Sequence, residues 1–170
     1  MRKAVHKATL LAAFAALCTS GQAVAASEVV KVNVKATKPL TLTRVQDLDL
    51  GTIVLAPGTW TGATVSISQA GVFRCANPNI SCTGAPLPAT YSVSGSNNEV
   101  VRITAPNVTL TNQADPTQTL LLTVDSPATV TLANGGKKGT NFSLGGSVTL
   151  SSTIAGGVYT GTFDVTVDYN

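Results

Sequence analysis

Tyr159-Thr160-Gly161-Thr162-Phe163-Asp164-Val165-Thr166-Val167-Asp168-Tyr169, one residue short of the C-terminus, alternates between two kinds of side chain without a break. Tyr159, Gly161, Phe163, Val165, Val167 and Tyr169 share one side, and Thr160, Thr162, Asp164, Thr166 and Asp168 the other. A period of two belongs to the β-strand, whose successive side chains point to opposite faces. One face of this segment therefore needs a core, and the other meets solvent.

The same rhythm runs back through the chain. Val30, Val32, Val34 and Ala36 alternate with Lys31, Asn33 and Lys35 until Pro39 interrupts them. Further strands are expected at Leu40–Val45, Leu48–Leu55, Ala63–Ser68, Ala89–Ser94, Val100–Thr104, Val108–Thr111, Leu120–Val124, Thr129–Leu132 and Phe142–Leu150. Turn-forming clusters such as Pro57-Gly58, Gly95-Ser96-Asn97-Asn98, Pro106-Asn107, Ser126-Pro127 and Asn134-Gly135-Gly136 separate them. No window carries a helical stripe, so crossover βαβ units are excluded and an all-β sandwich or barrel is expected.

The N-terminus follows a different logic. Arg2, Lys3 and Lys7 precede an apolar run from Ala8 to Cys18, and Gln22-Ala23-Val24-Ala25-Ala26 closes it with small residues. Those are the three regions of a secretory signal peptide, assigned to residues 1–26, with one domain expected over residues 27–170. Leu17 before Cys18 stands where a lipoprotein carries a small residue, which argues against lipidation. The apolar run is shorter than the roughly 20 residues of a membrane-spanning helix, so no transmembrane segment is expected in the mature chain. Export to the periplasm, the cell surface or the medium follows.

Removal of the leader takes three of the 11 basic residues and leaves eight against the eight acidic ones. A neutral domain gives no reason to expect nucleic acid or an anionic membrane as a partner. Loss of Cys18 leaves Cys75 and Cys82 as an even pair in an oxidising compartment, and a disulfide between them is expected. Closing so short a loop contributes roughly 2.5 kcal/mol.

Catalytic chemistry finds little footing. The single histidine, His6, departs with the leader, which removes the usual base of a serine or cysteine nucleophile and the fourth ligand of a zinc site. No metal or other cofactor is expected. Asp47 and Asp49 would lie about 7 Å apart on a strand, a separation that suits paired-carboxylate hydrolysis or part of a calcium site. Their alternation with Leu48 and Leu50 instead makes them the solvent side of that strand. Asp164 and Asp168, about 13 Å apart by strand rise, are too distant for one reaction centre. Lys137-Lys138 reads as the tip of a hairpin. Trp60, the only tryptophan, sits in the loop Pro57-Gly58-Thr59-Trp60-Thr61-Gly62 and is the one candidate aromatic contact for a glycan or protein ligand, unless it folds back over the core edge.

Two resemblances add to this reading. Pro39-Leu40-Thr41-Leu42, Asp47-Leu48-Asp49-Leu50-Gly51-Thr52-Ile53 and the terminal Gly157 to Tyr169 occur in order, and together they resemble a family of secreted proteobacterial proteins built on a domain of unknown function, number 4402. The ending also resembles that of chaperone-usher pilus subunits: Tyr169 is penultimate, and Gly157 is fourteenth from the end. That resemblance implies an immunoglobulin-like, pilin-like antiparallel β-sandwich, with Gly157, Tyr159, Phe163, Val165, Val167 and Tyr169 on an assembly strand. It further implies a periplasmic chaperone and copies of the chain itself as partners, joined by strand addition. Val30, Val32 and Val34 are then the candidate donor, or else the domain's own first strand. The local spacing of Cys75 and Cys82 and the short segment before Pro39 differ from the pilin pattern. The expected function is a non-catalytic fimbrial or pilin-like subunit. A self-complete binding module contacting its ligand through Trp60 is the alternative.

Overall fold

The computed structural model describes residues 31–133 and 138–170, and among these described residues there are thirteen β-strands and no helix. The expected leader, Val30, and the turn residues Asn134, Gly135, Gly136 and Lys137 lie outside the described residues. Residues 31–35 belong to a unit separate from residues 36–170, lie in no strand and are exposed. The strand expected over 30–36 is therefore absent from 31–36. Alternation alone does not make a strand when no neighbour supplies hydrogen bonds and burial.

Residues 36–170 fold as a sandwich of antiparallel sheets. β1 (Thr41–Gln46) pairs with β6 (Ala89–Ser94), and β6 pairs with the first half of β11 (Thr140–Leu150). Beyond Leu144 the same long strand changes neighbours: it runs between β3 (Ala63–Ile67) and β9 (Thr119–Asp125). β8 (Val108–Asn112) continues the sheet from β9, and β12 (Tyr159–Thr160) from β8, while β4 (Phe73–Arg74) flanks β3. Two smaller ladders stand apart: β10 (Thr129–Thr131), β7 (Val100–Thr104) and β13 (Thr166–Tyr169) form one, and β2 (Thr52–Leu55) with β5 (Ile80–Thr83) the other.

Two core clusters result. In the first, Val93 and Leu144 of β6 and β11 meet Val101 and Ile103 of β7, with Leu132 beyond β10. In the second, Ala63, Val65, Leu122 and Val148 pack with Ile53, Leu55 and the two half-cystines of the β2–β5 side. Leu48, Val124 and Phe163 touch both clusters. Each fully buried aliphatic side chain stabilises the fold by about 1.5–3 kcal/mol.

The expected strands at 40–45, 63–68, 89–94, 100–104, 108–111, 120–124, 129–132 and 142–150 all appear, within about two residues at either end. Two segments differ. The expected strand from Leu48 begins only at Thr52, because Asp49 is held in an isolated bridge to Leu87 while Gly51 turns the chain through a positive φ of 74°. The C-terminal strand is interrupted, with residues 161–165 lying between β12 and β13 outside any ladder. β4 and β5 had no counterpart in the alternation.

Candidate functional site

β8, β9 and the second half of β11 turn leucines and a valine toward the facing layer, which buries Leu122, Val148 and Leu150 but leaves Leu110 and Leu120 only half-buried. A groove of about 800 Å³ opens there. Leu110, Leu120, Leu122, Val148 and Leu150 form its floor, and residues 47–55 and 154–163 form its walls. Its cause is visible in the pairing. β2 is bonded only to β5, β13 only to β7, and the chain between β12 and β13 joins no ladder, so the layer over the floor has a gap between strands. Leu48, Leu50, Leu110 and Leu120 are consequently only half-buried although they face the core. Backbone edges without a strand partner and uncovered leucines are what an added strand requires.

The groove's rim is polar. Arg44 and Asp47 make an exposed ion pair at 3.0 Å, and an oxygen of Asp49 accepts the Gly51 N–H at 2.7 Å. Both aspartates are exposed and Leu48 and Leu50 point inward, the disposition expected from their alternation. Tyr91 lines one wall, its ring stacked on Phe142 with centroids 5.7 Å apart. Burial pushes its phenol above the ordinary tyrosine range, and Asp47 adds to this while Arg44 opposes it.

The C-terminal segment keeps its alternation of burial even where it leaves the ladder. Phe163 joins both cores, and Val165, Val167 and Tyr169 pack on the first. Gly161, expected inward, is exposed, and it passes within 2.9 Å of Leu110 as a Cβ would measure it. Tyr159 donates its hydroxyl to the Ala155 carbonyl at 2.8 Å. Gly157 adopts φ +152° against Asn112, whose side chain would stand 2.4 Å from any Cβ at that position. Asn112 is itself buried, donating to the Gly156 carbonyl and accepting from the Ala114 N–H. Tyr169 accepts the Ser96 N–H at 2.8 Å and donates to the Lys38 carbonyl at 2.7 Å, so the last strand is tied to the segment that leads into β1.

The other residues singled out by sequence separate cleanly. Val32 and Val34 are 80% and 85% exposed, far beyond what alternate valines of a paired strand show. Cys75 and Cys82 are bonded, with Cα atoms 6.3 Å apart, and pack on the second core. Trp60 is not an open platform: it packs on that same core, its indole N–H donates to the Ala56 carbonyl at 3.0 Å, and its backbone N–H is bonded to Ser152. Its loop folds back because two of its polar groups find partners there, the fold-back over the core edge that the sequence left open beside a ligand contact, and Trp60 stays half-buried. Asp164, Asp168 and Lys138 are exposed. Among the described residues no three His, Cys, Asp or Glu side chains converge as metal ligands would.

Alternation located the groove's leucines as core residues but not the gap above them. Whether a layer closes depends on which strands become neighbours, and no local pattern encodes that.

No helix among the described residues is long and apolar enough to cross a membrane. No curated protein and no solved structure matches the chain at a significant level. A family model does match: the one described as Domain of unknown function (DUF4402) aligns with residues 40–169, from the root of β1 to the tyrosine that ends β13. The chain belongs to that family.

Proposed function

We infer that this chain is an exported, non-catalytic structural subunit that assembles with copies of itself by strand pairing, in the manner of fimbrial subunits. One observation carries the reading: the sandwich leaves an apolar groove of about 800 Å³ where a further strand would complete its facing layer. An apolar groove lined by half-buried leucines is the kind of surface that a partner covers. The alternate valines of residues 31–36 are the matching half, since Val32 and Val34 are exposed and unpaired in the chain that carries them. A chain with an empty groove needs cover during export, and a periplasmic chaperone that lends a strand is the partner such chemistry calls for.

The test is electron microscopy of sheared surface material from the producing cells, probed with an antibody to this chain. Labelled filaments or other ordered polymers are expected. Label confined to monomeric protein in the periplasm or medium would overturn the reading.

A further inference from the structure

We propose that a cup on the outward face of the large sheet, turned away from the groove, binds a small zwitterion, a free peptide of about two residues, with Arg74 taking its carboxylate and Asp125 its ammonium. The site goes beyond the strand-pairing reading and shares no lining residue with the groove.

Local sequence makes the cup. Val148 and Leu150 of β11 line the groove, so Gly145 and Ser147 face the other way. Gly145 carries no side chain because the turn between β3 and β4 closes over it, and a Cβ there would collide with the Ile67 carbonyl oxygen. Ser68 holds that turn: its carbonyl accepts the Gly71 N–H at 2.9 Å and its hydroxyl the Val72 N–H at 3.1 Å. The turn stands as a wall beside the outward side chains, and a cup of about 190 Å³ lies between them.

Strand register then places its polar groups. Arg74 of β4 is opposite Ser66 of β3, and Ser66 is opposite Ser147 of β11. Asp125 is opposite Gly145 on the far side of β11, so the backbones of the two charged residues stand three strand spacings apart, about 14 Å. Arg74 is exposed, and its guanidinium and the hydroxyls of Ser66 and Ser147 have no partner among the described residues. Asp125 is fixed by the Gln69 amide, which donates to one of its oxygens at 2.7 Å, while its other oxygen has no partner among the described residues.

The cup is neutral overall, with a positive side and a negative side that do not touch. An anion alone meets attraction at Arg74 and repulsion at Asp125, and a cation alone the reverse, whereas a zwitterion laid across the cup satisfies both. Length selects among zwitterions. The charges of a single amino acid sit on one carbon and reach only one side, but two extended residues span about 7 Å and bridge the interval left by the long arginine stem. The guanidinium takes a carboxylate through two parallel N–H donors, and the two serine hydroxyls, each donor and acceptor, face the peptide group between the ends. A neutral sugar leaves both charges uncompensated, and no aromatic ring lines the cup to stack on it.

The experiment titrates the isotope-labelled exported chain with alanyl-alanine and follows its backbone amides by NMR. Shifts are expected at Ser66, Arg74, Asp125 and Ser147 and not at the groove's Leu110 or Leu120. Capping either end of the probe, as N-acetyl-alanyl-alanine or as alanyl-alanine amide, should weaken binding about fivefold, and so should Arg74→Gln or Asp125→Asn in the chain, with the remaining amide spectrum unchanged. Arg44→Gln, at the rim of the groove, should bind the probe as the unaltered chain does. Absence of shifts, equal binding of the capped probes, or the same shifts raised by inorganic phosphate or methyl glucoside alone would each overturn the assignment.

Discussion

At Tyr169 one hydroxyl joins three parts of the chain that are remote in sequence: the C-terminal strand, the turn after β6 at Ser96, and the carbonyl of Lys38. Gly95 makes room for it, since a Cβ there would stand 2.5 Å from the phenolic oxygen. Tyr169→Phe keeps the ring in the core and removes both hydrogen bonds, leaving the Ser96 N–H without its acceptor. A loss of about 1–2 kcal/mol is expected from urea denaturation, with an unchanged far-ultraviolet spectrum. Tyr91 offers a test by pH. Its folded phenol ionises above the unfolded value, so between those two values the native state holds the extra proton and stability falls as pH rises. The full contribution is present below the unfolded value, around pH 10. Tyr91→Phe should flatten that alkaline decline in a denaturation series. At this scale the sequence was informative about which way a side chain points: Phe163, Val165, Val167 and Tyr169 all face the core. It was silent about the Lys38 bond, which spans 131 residues and has no local signature.

Elements were legible where a strand is paired along its length. β6 and β7 coincide with the alternating segments 89–94 and 100–104, because each is paired along its whole length. Alternation misled in three places where pairing fails: residues 48–51 hold only the isolated bridge at Asp49, residues 161–165 keep the burial pattern of a strand without the ladder, and residues 31–36 keep only the sequence pattern. β5 went unseen for the opposite reason. Ile80-Ser81-Cys82-Thr83 follows Asn77-Pro78-Asn79, which marks the stretch as a turn, and it becomes a strand through β2 and the disulfide. Reduction should therefore act locally as well as globally. Stability is expected to drop by about 2.5 kcal/mol, and hydrogen exchange should accelerate first at Val54 and Leu55, before the amides of β6 and β7. Uniform acceleration across all strands would show that the bridge does not act as a staple on the β2–β5 ladder.

For the whole molecule, the decisive feature is a mismatch between its two layers: one sheet extends across β3, β11, β9 and β8, and the ladders opposite leave a groove over it in which Leu110 and Leu120 stay half-buried. Composition anticipated this only indirectly, through the shortage of charged side chains that ordinarily guard strand edges. With charged residues at 11% of the chain, edges such as those of β2 and β13 rely on being covered. The proposed completion by a second copy accounts for the half-buried leucines, the strand edges without a neighbour and the exposed valines with one contact. The most direct measurement is an intermolecular cross-link. One copy carrying Val32→Cys is co-expressed with another carrying Leu120→Cys, with Leu121→Cys on the opposite face of β9 as the control. A disulfide-linked dimer on a non-reducing gel is expected with Leu120→Cys and not with Leu121→Cys. Linkage at Leu121 alone, or none at either, would contradict the docking of one copy's N-terminal segment in the groove of the next.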